Sequence, residues 1–301
     1  MLCTIKYTKN LDPALLFLKD KLPLFIWSSL EEYFYENCIN VVNEIRIKGN
    51  GFISLIVNSC TRKTDIYVDA SSLNDIFTAL CDGSVYAHAT SILDGYISLG
   101  KGLRAGICGR AVIENGCLSG VCDITSINIR IPQRIFGAGK FIYNILKENS
   151  FKASVLIYSP PGVGKTTVLR DLACLLSKAD KPIRHAIIDS REEITPFISK
   201  ELCSDIYLSY PKGLAIELAT KSMTPEIILC DEISSLEEAD GIKKAIGCGV
   251  FLVASAHAGS FDELKSKSIL KGLIDAKAFN YAVGLERGTV KNTFIYTVDK
   301  L

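Results

Sequence analysis

Val155-Leu156-Ile157-Tyr158-Ser159-Pro160-Pro161-Gly162-Val163-Gly164-Lys165-Thr166-Thr167 is the stretch from which the fold can be read. Residues 155–158 are four apolar residues in a row, the length and composition of a buried strand. Two glycines follow, and then 168–176 runs with helical spacing. Strand, glycine loop and helix in that order is the setting in which a backbone cradles phosphate. Gly162 and Gly164 let the chain turn its N–H groups inward. The helix start adds the positive end of its dipole. Lys165 supplies a point charge for the β- and γ-phosphates, and Thr166 a hydroxyl for Mg²⁺. Ser159, Pro160, Pro161, Gly162, Val163, Gly164, Lys165, Thr166 and Thr167 are therefore the expected nucleotide-binding loop. The pattern G-x-x-x-x-G-K-[ST] has glycine where Ser159 stands. Serine fits there if that position needs no positive φ.

A phosphate loop binds nucleotide, and hydrolysis needs acids. Residues 227–230 read as a second buried strand, and Asp231-Glu232 emerge at its carboxyl end, where open α/β sheets place their sites. Asp231 is expected to hold Mg²⁺ through water, and Glu232 to orient or deprotonate the attacking water. A third strand, 186–188, ends in Asp189-Ser190-Arg191-Glu192-Glu193. Asp189 is a candidate for the Mg²⁺ shell and Glu193 for the attacking water; the alternative is a charged loop that only solvates the edge. A fourth strand, 250–254, leads to His257, a candidate hydrogen-bond donor that senses the γ-phosphate. The lysines of 263–277 have helical spacing with interspersed acids and read as a solvated helix face.

Strands that alternate with helical patterns predict a mostly parallel sheet with helices on both faces for residues 141–301. The preceding residues, 1–136, read as an α+β domain. There 12–37 has helical spacing, 43–58 forms two strands around Gly49-Asn50-Gly51, 71–81 is a short helix, and 95–131 is a set of antiparallel strands. Gly137-Ala138-Gly139, within 137–140, reads as the linker. The length agrees, since 301 residues exceed the ~150 of one average domain.

Composition excludes other classes. With 48% hydrophobic and 22% charged residues, the chain is neither disordered nor collagen-like nor a coiled coil. Lys plus Arg is 34 against 33 acids, a net charge of +1, and no basic stripe stands out, which weighs against a nucleic-acid partner. The 11 cysteines are odd in number and show no CxxC pair. They read as reduced, buried residues of a cytosolic protein. The start, MLCTIKYTKN, does not lead into a signal peptide, and no window has the ~18 unbroken apolar residues of a membrane helix.

Taken in order, the phosphate loop, the Asp189/Glu193 segment, the Asp231-Glu232 strand and Ala256-His257-Ala258 resemble the type II/IV secretion ATPase superfamily, and most closely its sporulation branch in endospore-forming bacteria. The strings that carry this are Arg104-Ala105-Gly106-Ile107-Cys108-Gly109-Arg110-Ala111-Val112, Ser126-Ile127-Asn128-Ile129-Arg130-Ile131, Asp189 to Ile194, and Ser222-Met223-Thr224-Pro225-Glu226 running toward Asp231-Glu232-Ile233. The likeness extends from about residue 44 to the C-terminus. It implies a RecA-like P-loop ATPase that uses ATP and Mg²⁺. It further implies a homo-hexamer, peripheral to the cytoplasmic face of a membrane, on the mother-cell side during sporulation, with integral-membrane channel proteins as partners. It also implies an arginine from the N-terminal domain that meets the transferred phosphoryl group: Arg104, Arg110, Arg130 or Arg134, with Arg130 foremost because it lies on a strand just before the linker. Departures from the superfamily are Ser159 in the loop, Lys221 where arginine is frequent, and Ser234 where glycine is usual. Two other readings stay open, a RecA-like nucleic-acid translocase and a nucleotide-gated scaffold with little turnover.

Overall fold

The computed structural model describes residues 11–58, 60–133, 135–196, 198, 200, 202–290 and 293–301. The chain divides into two units, Met1–Gln133 and Arg134–Leu301.

In the first unit, α1 (Pro13–Phe17) and α2 (Leu24–Glu36) share the segment read as helical. Pro23 separates them because its ring fixes φ and removes a backbone donor. Then follow β1 (Glu44–Lys48), β2 (Gly51–Val57), β3 (Cys60–Val68), α3 (Ala70–Leu80), α4 (Ala89–Leu93), β4 (Tyr96–Gly100), β5 (Leu103–Glu114) and β6 (Cys117–Arg130). The strands form an antiparallel sheet in the order β3-β2-β1-β6-β5-β4. Ile45, Ile47, Ile127, Ile129, Ala105 and Ile107 alternate onto the buried face. The same period of two turns Cys108 outward. Cysteine burial therefore departs from the sequence reading. Among the described residues Cys81, Cys174 and Cys230 are buried, whereas Cys38, Cys60, Cys108, Cys117, Cys122, Cys203 and Cys248 are exposed.

The second unit contains α5 (Lys140–Glu148), β7 (Val155–Ser159), α6 (Lys165–Ser177), β8 (His185–Asp189), β9 (Ser204–Leu208), α7 (Lys212–Ser222), β10 (Ile227–Cys230), α8 (Leu236–Gly247), β11 (Phe251–His257), α9 (Phe261–Ser266), α10 (Ser268–Asp275), β12 (Tyr281–Arg287) and β13 (Phe294–Lys300). Its sheet order is β13-β12-β7-β11-β10-β8-β9, parallel except for the β12–β13 pair. Burial on both faces explains why the central strands are unbroken apolar runs. Leu156, Ile188, Ile228 and Ala254 pack with Ile216 of α7 and Ile242 of α8. Val155, Ile157, Ile187, Leu229 and Val253 pack on the other face with Ile142 of α5 and Leu172 of α6.

The segment read as a linker is part of this second unit. Gly139 donates its N–H to Asp171 Oδ2 at 2.8 Å. A Cβ on Gly139 would stand 2.4 Å from the backbone nitrogen of Leu172, so only glycine lets the chain lie this close to α6. The Tyr296 hydroxyl donates to the Ala138 carbonyl at 2.6 Å. Among the described residues, no helix is long and apolar enough to cross a membrane.

Candidate active site

The phosphate loop joins the carboxyl end of β7 to the start of α6. Gly162 (φ +75°) and Gly164 (φ +134°) turn through the left-handed region, as their residue type allows. Ser159 is absent from the positive-φ residues, so the first pattern position accepts serine without backbone strain. Its hydroxyl donates to the Pro160 carbonyl at 3.0 Å and accepts from Lys165 Nζ at 3.2 Å.

Lys165 is folded onto its own loop. Nζ donates to the carbonyls of Ser159 (2.9 Å) and Pro160 (3.2 Å) and lies 2.8 Å from His257 Nδ1. The parallel register that sets His257 beside Ser159 brings the two side chains together. Burial pushes the ammonium pKa below its ordinary value of 10.5, opposed by the nearby Glu232 and Asp231 carboxylates; Lys267 pushes the same way as burial. The ammonium has three protons for these four neighbours and no acceptor, so His257 Nδ1 is assigned the acceptor role and the ring's proton is placed on Nε2. That Nε2 lies 3.1 Å from Glu232 Oε1, and Glu232 Oε2 lies 3.4 Å from Arg191 Nη1. Lys165, His257 and Glu232 thus form one continuous chain.

Asp231 sits beneath this chain. Its Oδ1 accepts from Ser255 Oγ (3.0 Å) and from the Glu232 N–H (2.9 Å). The Glu232 N–H also approaches Ser255 Oγ at 3.1 Å. Lys212, the first residue of α7, donates to the Glu232 carbonyl, and Lys267 donates to the His257 carbonyl. Lys267 therefore has a contact beyond the solvated face expected of it. A cavity of about 400 Å³ opens beside Glu232 and His257, lined also by Ser234, Lys267 and Ser268.

The Asp189 segment is placed differently from its expected role. Asp189 is buried, and its carboxylate accepts the N–H groups of Glu193 (2.8 Å), Ile194 (3.0 Å) and Thr195 (2.8 Å) and the Thr195 hydroxyl (2.7 Å). Three of these donors meet Oδ2 and one meets Oδ1, so the carboxylate builds its own loop chiefly through Oδ2. Arg170 of α6 clasps the same loop through the carbonyls of Glu193 and Ile194. In the first unit, Arg130 stands between Glu44 and Arg104 in the strand register and is 4.0 Å from Glu44 Oε1. Arg110 pairs with Asp123 at 2.8 Å, and the Arg104 guanidinium lies 5.2 Å from the centre of the Tyr96 ring. Arg134 falls outside the described residues.

Residues 31–297 match the family described as "Sporulation stage III, protein AA". Stage III sporulation protein AA of Bacillus subtilis (strain 168) is 32% identical over 272 residues, which span 86% of this chain and 87% of that relative. The chain belongs to the stage III sporulation protein AA family. Among solved structures, the ATPase DotB of Legionella pneumophila superposes with a TM-score of 0.59 at 16% identity, covering 92% of this chain and 80% of that one. The pilus retraction motor PilT with bound ADP gives 0.61 at 13% identity, covering 89% and 82%. At these identities the likeness is one of fold: a RecA-like P-loop NTPase domain preceded by an α+β domain, as expected from the sequence.

Thr166 is the second residue of α6, and the Asp231 hydrogen bonds fall on Oδ1, leaving Oδ2 as an oxygen of the kind a hard divalent cation takes. Sequence reasoning missed Ser255, Arg191, Lys212 and Lys267. Ser255 carried a signal, a lone hydroxyl inside an apolar strand two residues before His257. The other three are ordinary surface cations in the sequence and meet the site only through tertiary packing.

Proposed function

We propose that this chain is a Mg²⁺-dependent ATP hydrolase. In this reading it works as a hexameric ring at the cytoplasmic face of a membrane and powers a channel of integral-membrane proteins during endospore formation. The observation that carries the proposal is the hydrogen-bonded chain Lys165–His257–Glu232, with Asp231 and Thr166 beside it. In this reading, the residues for phosphate, cation and water follow the carboxyl ends of neighbouring parallel strands.

Lys165 is bonded to loop carbonyls and lies against His257, and Glu232 lies against His257 and Arg191. A triphosphate offers Lys165 better acceptors than neutral carbonyls, because charge-assisted hydrogen bonds are about twice as strong. Once Lys165 turns to the phosphates, His257 Nδ1 is free to carry the ring proton toward the γ-phosphate. Nδ1 takes that proton from water while Nε2 gives its own to water, so the ring stays neutral and Nε2 stops donating to Glu232. The freed carboxylate takes a proton from water that enters by the adjoining cavity. Mg²⁺, when bound, would supply charge neutralisation for the phosphates. Thr166 and Asp231 are the residues proposed to hold it, with Glu193 aiding the water. Arg130, with its side chain 73% exposed and its ion pair to Glu44 long, is the arginine proposed to meet the phosphoryl charge.

The test is solution mass with and without Mg-ATP, measured beside phosphate release. A hexamer that forms with Mg-ATP and turns over is the expected result. Full turnover by a monomer at every nucleotide concentration would remove the ring. Turnover that depends on single-stranded DNA would favour a translocase instead.

A further inference from the structure

Arg287 and Phe294 face each other as the last pair of the β12–β13 ladder, and both reach the phosphate loop. Arg287 Nη2 donates to the Gly162 carbonyl at 2.7 Å. The Phe294 ring lies against Gly164, so that a Cβ there would stand 2.8 Å from Cε1 and 2.9 Å from Cζ. The two glycines touched are the two that take positive φ in this loop.

A planar trans peptide points its carbonyl and its following N–H in opposite directions. A Gly162 carbonyl held by Arg287 therefore turns the Val163 N–H away from Arg287. The ring on Gly164 blocks the backbone on that side from swinging back. Such control matters here because glycine has the most conformational freedom to lose on being fixed. The rung itself is anchored. β12 pairs in parallel with β7, the strand that feeds the loop. Two residues beyond Phe294, Tyr296 stacks on Phe141 with ring centroids 4.3 Å apart and donates its hydroxyl to the Ala138 carbonyl. Burial raises the Tyr296 pKa to about 12, with Asp171 adding to it, so this phenol remains a donor across the physiological range.

We propose that the Arg287–Phe294 rung is a positioning device that presets the phosphate loop in its anion-accepting shape before nucleotide arrives. Its consequence for affinity rests on the nucleotide reading given above. The bracing of the loop does not.

The experiment is hydrogen exchange on the nucleotide-free protein, paired with Mg-ADP titration of the same samples. Arg287→Ala is expected to speed exchange at Val163, Gly164 and Lys165 about tenfold, the equivalent of one lost hydrogen bond to a charged donor. β10 and α8 should keep their protection. Arg287→Lys should restore most of it, since one carbonyl needs one donor. Phe294→Leu should loosen Gly164 and Lys165 in the same way. Mg-ADP affinity should fall about tenfold in Arg287→Ala. Loop exchange equal to the parent's in both Arg287→Ala and Phe294→Leu would overturn the brace. Faster loop exchange in a protein whose parent binds no Mg-ADP would uphold the brace and defeat the nucleotide reading.

Discussion

Glu232→Gln is expected to bind Mg-ATP as the parent does and to lose about 10²- to 10⁴-fold in turnover, the range that a general base contributes. Glutamine has the size of glutamate, and its carbonyl can still accept from His257 Nε2, now 3.1 Å from Oε1. Its amide cannot take a proton from water. It also offers no charge to Arg191, now 3.4 Å from Oε2, so that loop contact should loosen without disturbing the phosphates. Phosphate release beside binding of a non-hydrolysable ATP analogue separates the two effects. Normal hydrolysis by this variant would take the base away from Glu232 and leave Glu193 as the next carboxylate to examine. Loss of binding with loss of turnover would mean that Glu232 shapes the loop instead of acting on water.

Lys165→Ala is expected to weaken nucleotide binding on the order of a hundredfold or more, since it removes a buried charged donor aimed at phosphate. Stability without nucleotide should change little. The pKa of Lys165 is lowered in the folded chain, chiefly by burial, so its charged form is disfavoured by folding. Charged Lys165 therefore costs folding free energy at neutral pH, and that cost fades as pH rises through the folded-state value. Alanine removes the cost together with the bonds to Ser159 and Pro160. The melting temperature should thus stay near the parent's, while the rise that Mg-ATP gives the parent should vanish. A variant that still gains thermal stability from Mg-ATP would show that phosphate is bound elsewhere.

The parallel sheet was legible because strands buried on both faces need apolar runs, and β7, β8 and β10 carry them at 155–158, 186–188 and 227–230. β9, Ser204–Leu208, was missed. It lies at the sheet edge, where one side needs no partner, and its Ser204-Asp205 start carries no buried pattern. β11 was read as ending at Ala254 but runs to His257, so His257 belongs to the sheet itself. That register, and not the identity of the histidine, sets it against Lys165. Lys165, Asp231 and Glu232 were legible because each follows directly from a strand or loop that announces itself. Asp189 had the same local signature as Asp231, an acid after an apolar strand. The difference lies in the next six residues, which curl over Asp189 and put three donors on Oδ2 and one on Oδ1. Whether an acid faces outward to a ligand or inward to its own loop depends on that fold-back. Arg287 and Phe294 gave no sign at all, because their importance comes from a hairpin that closes more than a hundred residues after the loop it touches.

The claim on which the rest depends is that the loop around Lys165 and the acids after β10 share one ligand. The most direct measurement is a crystal structure of the chain with Mg²⁺ and a non-hydrolysable ATP analogue. The expected result has Lys165 Nζ on the phosphate oxygens and released from His257, Mg²⁺ on the Thr166 hydroxyl with Asp231 behind it through water, and Glu232 facing the γ-phosphate. An analogue bound away from Gly162–Thr166, or phosphates in the loop with Asp231 and Glu232 turned from them, would contradict it.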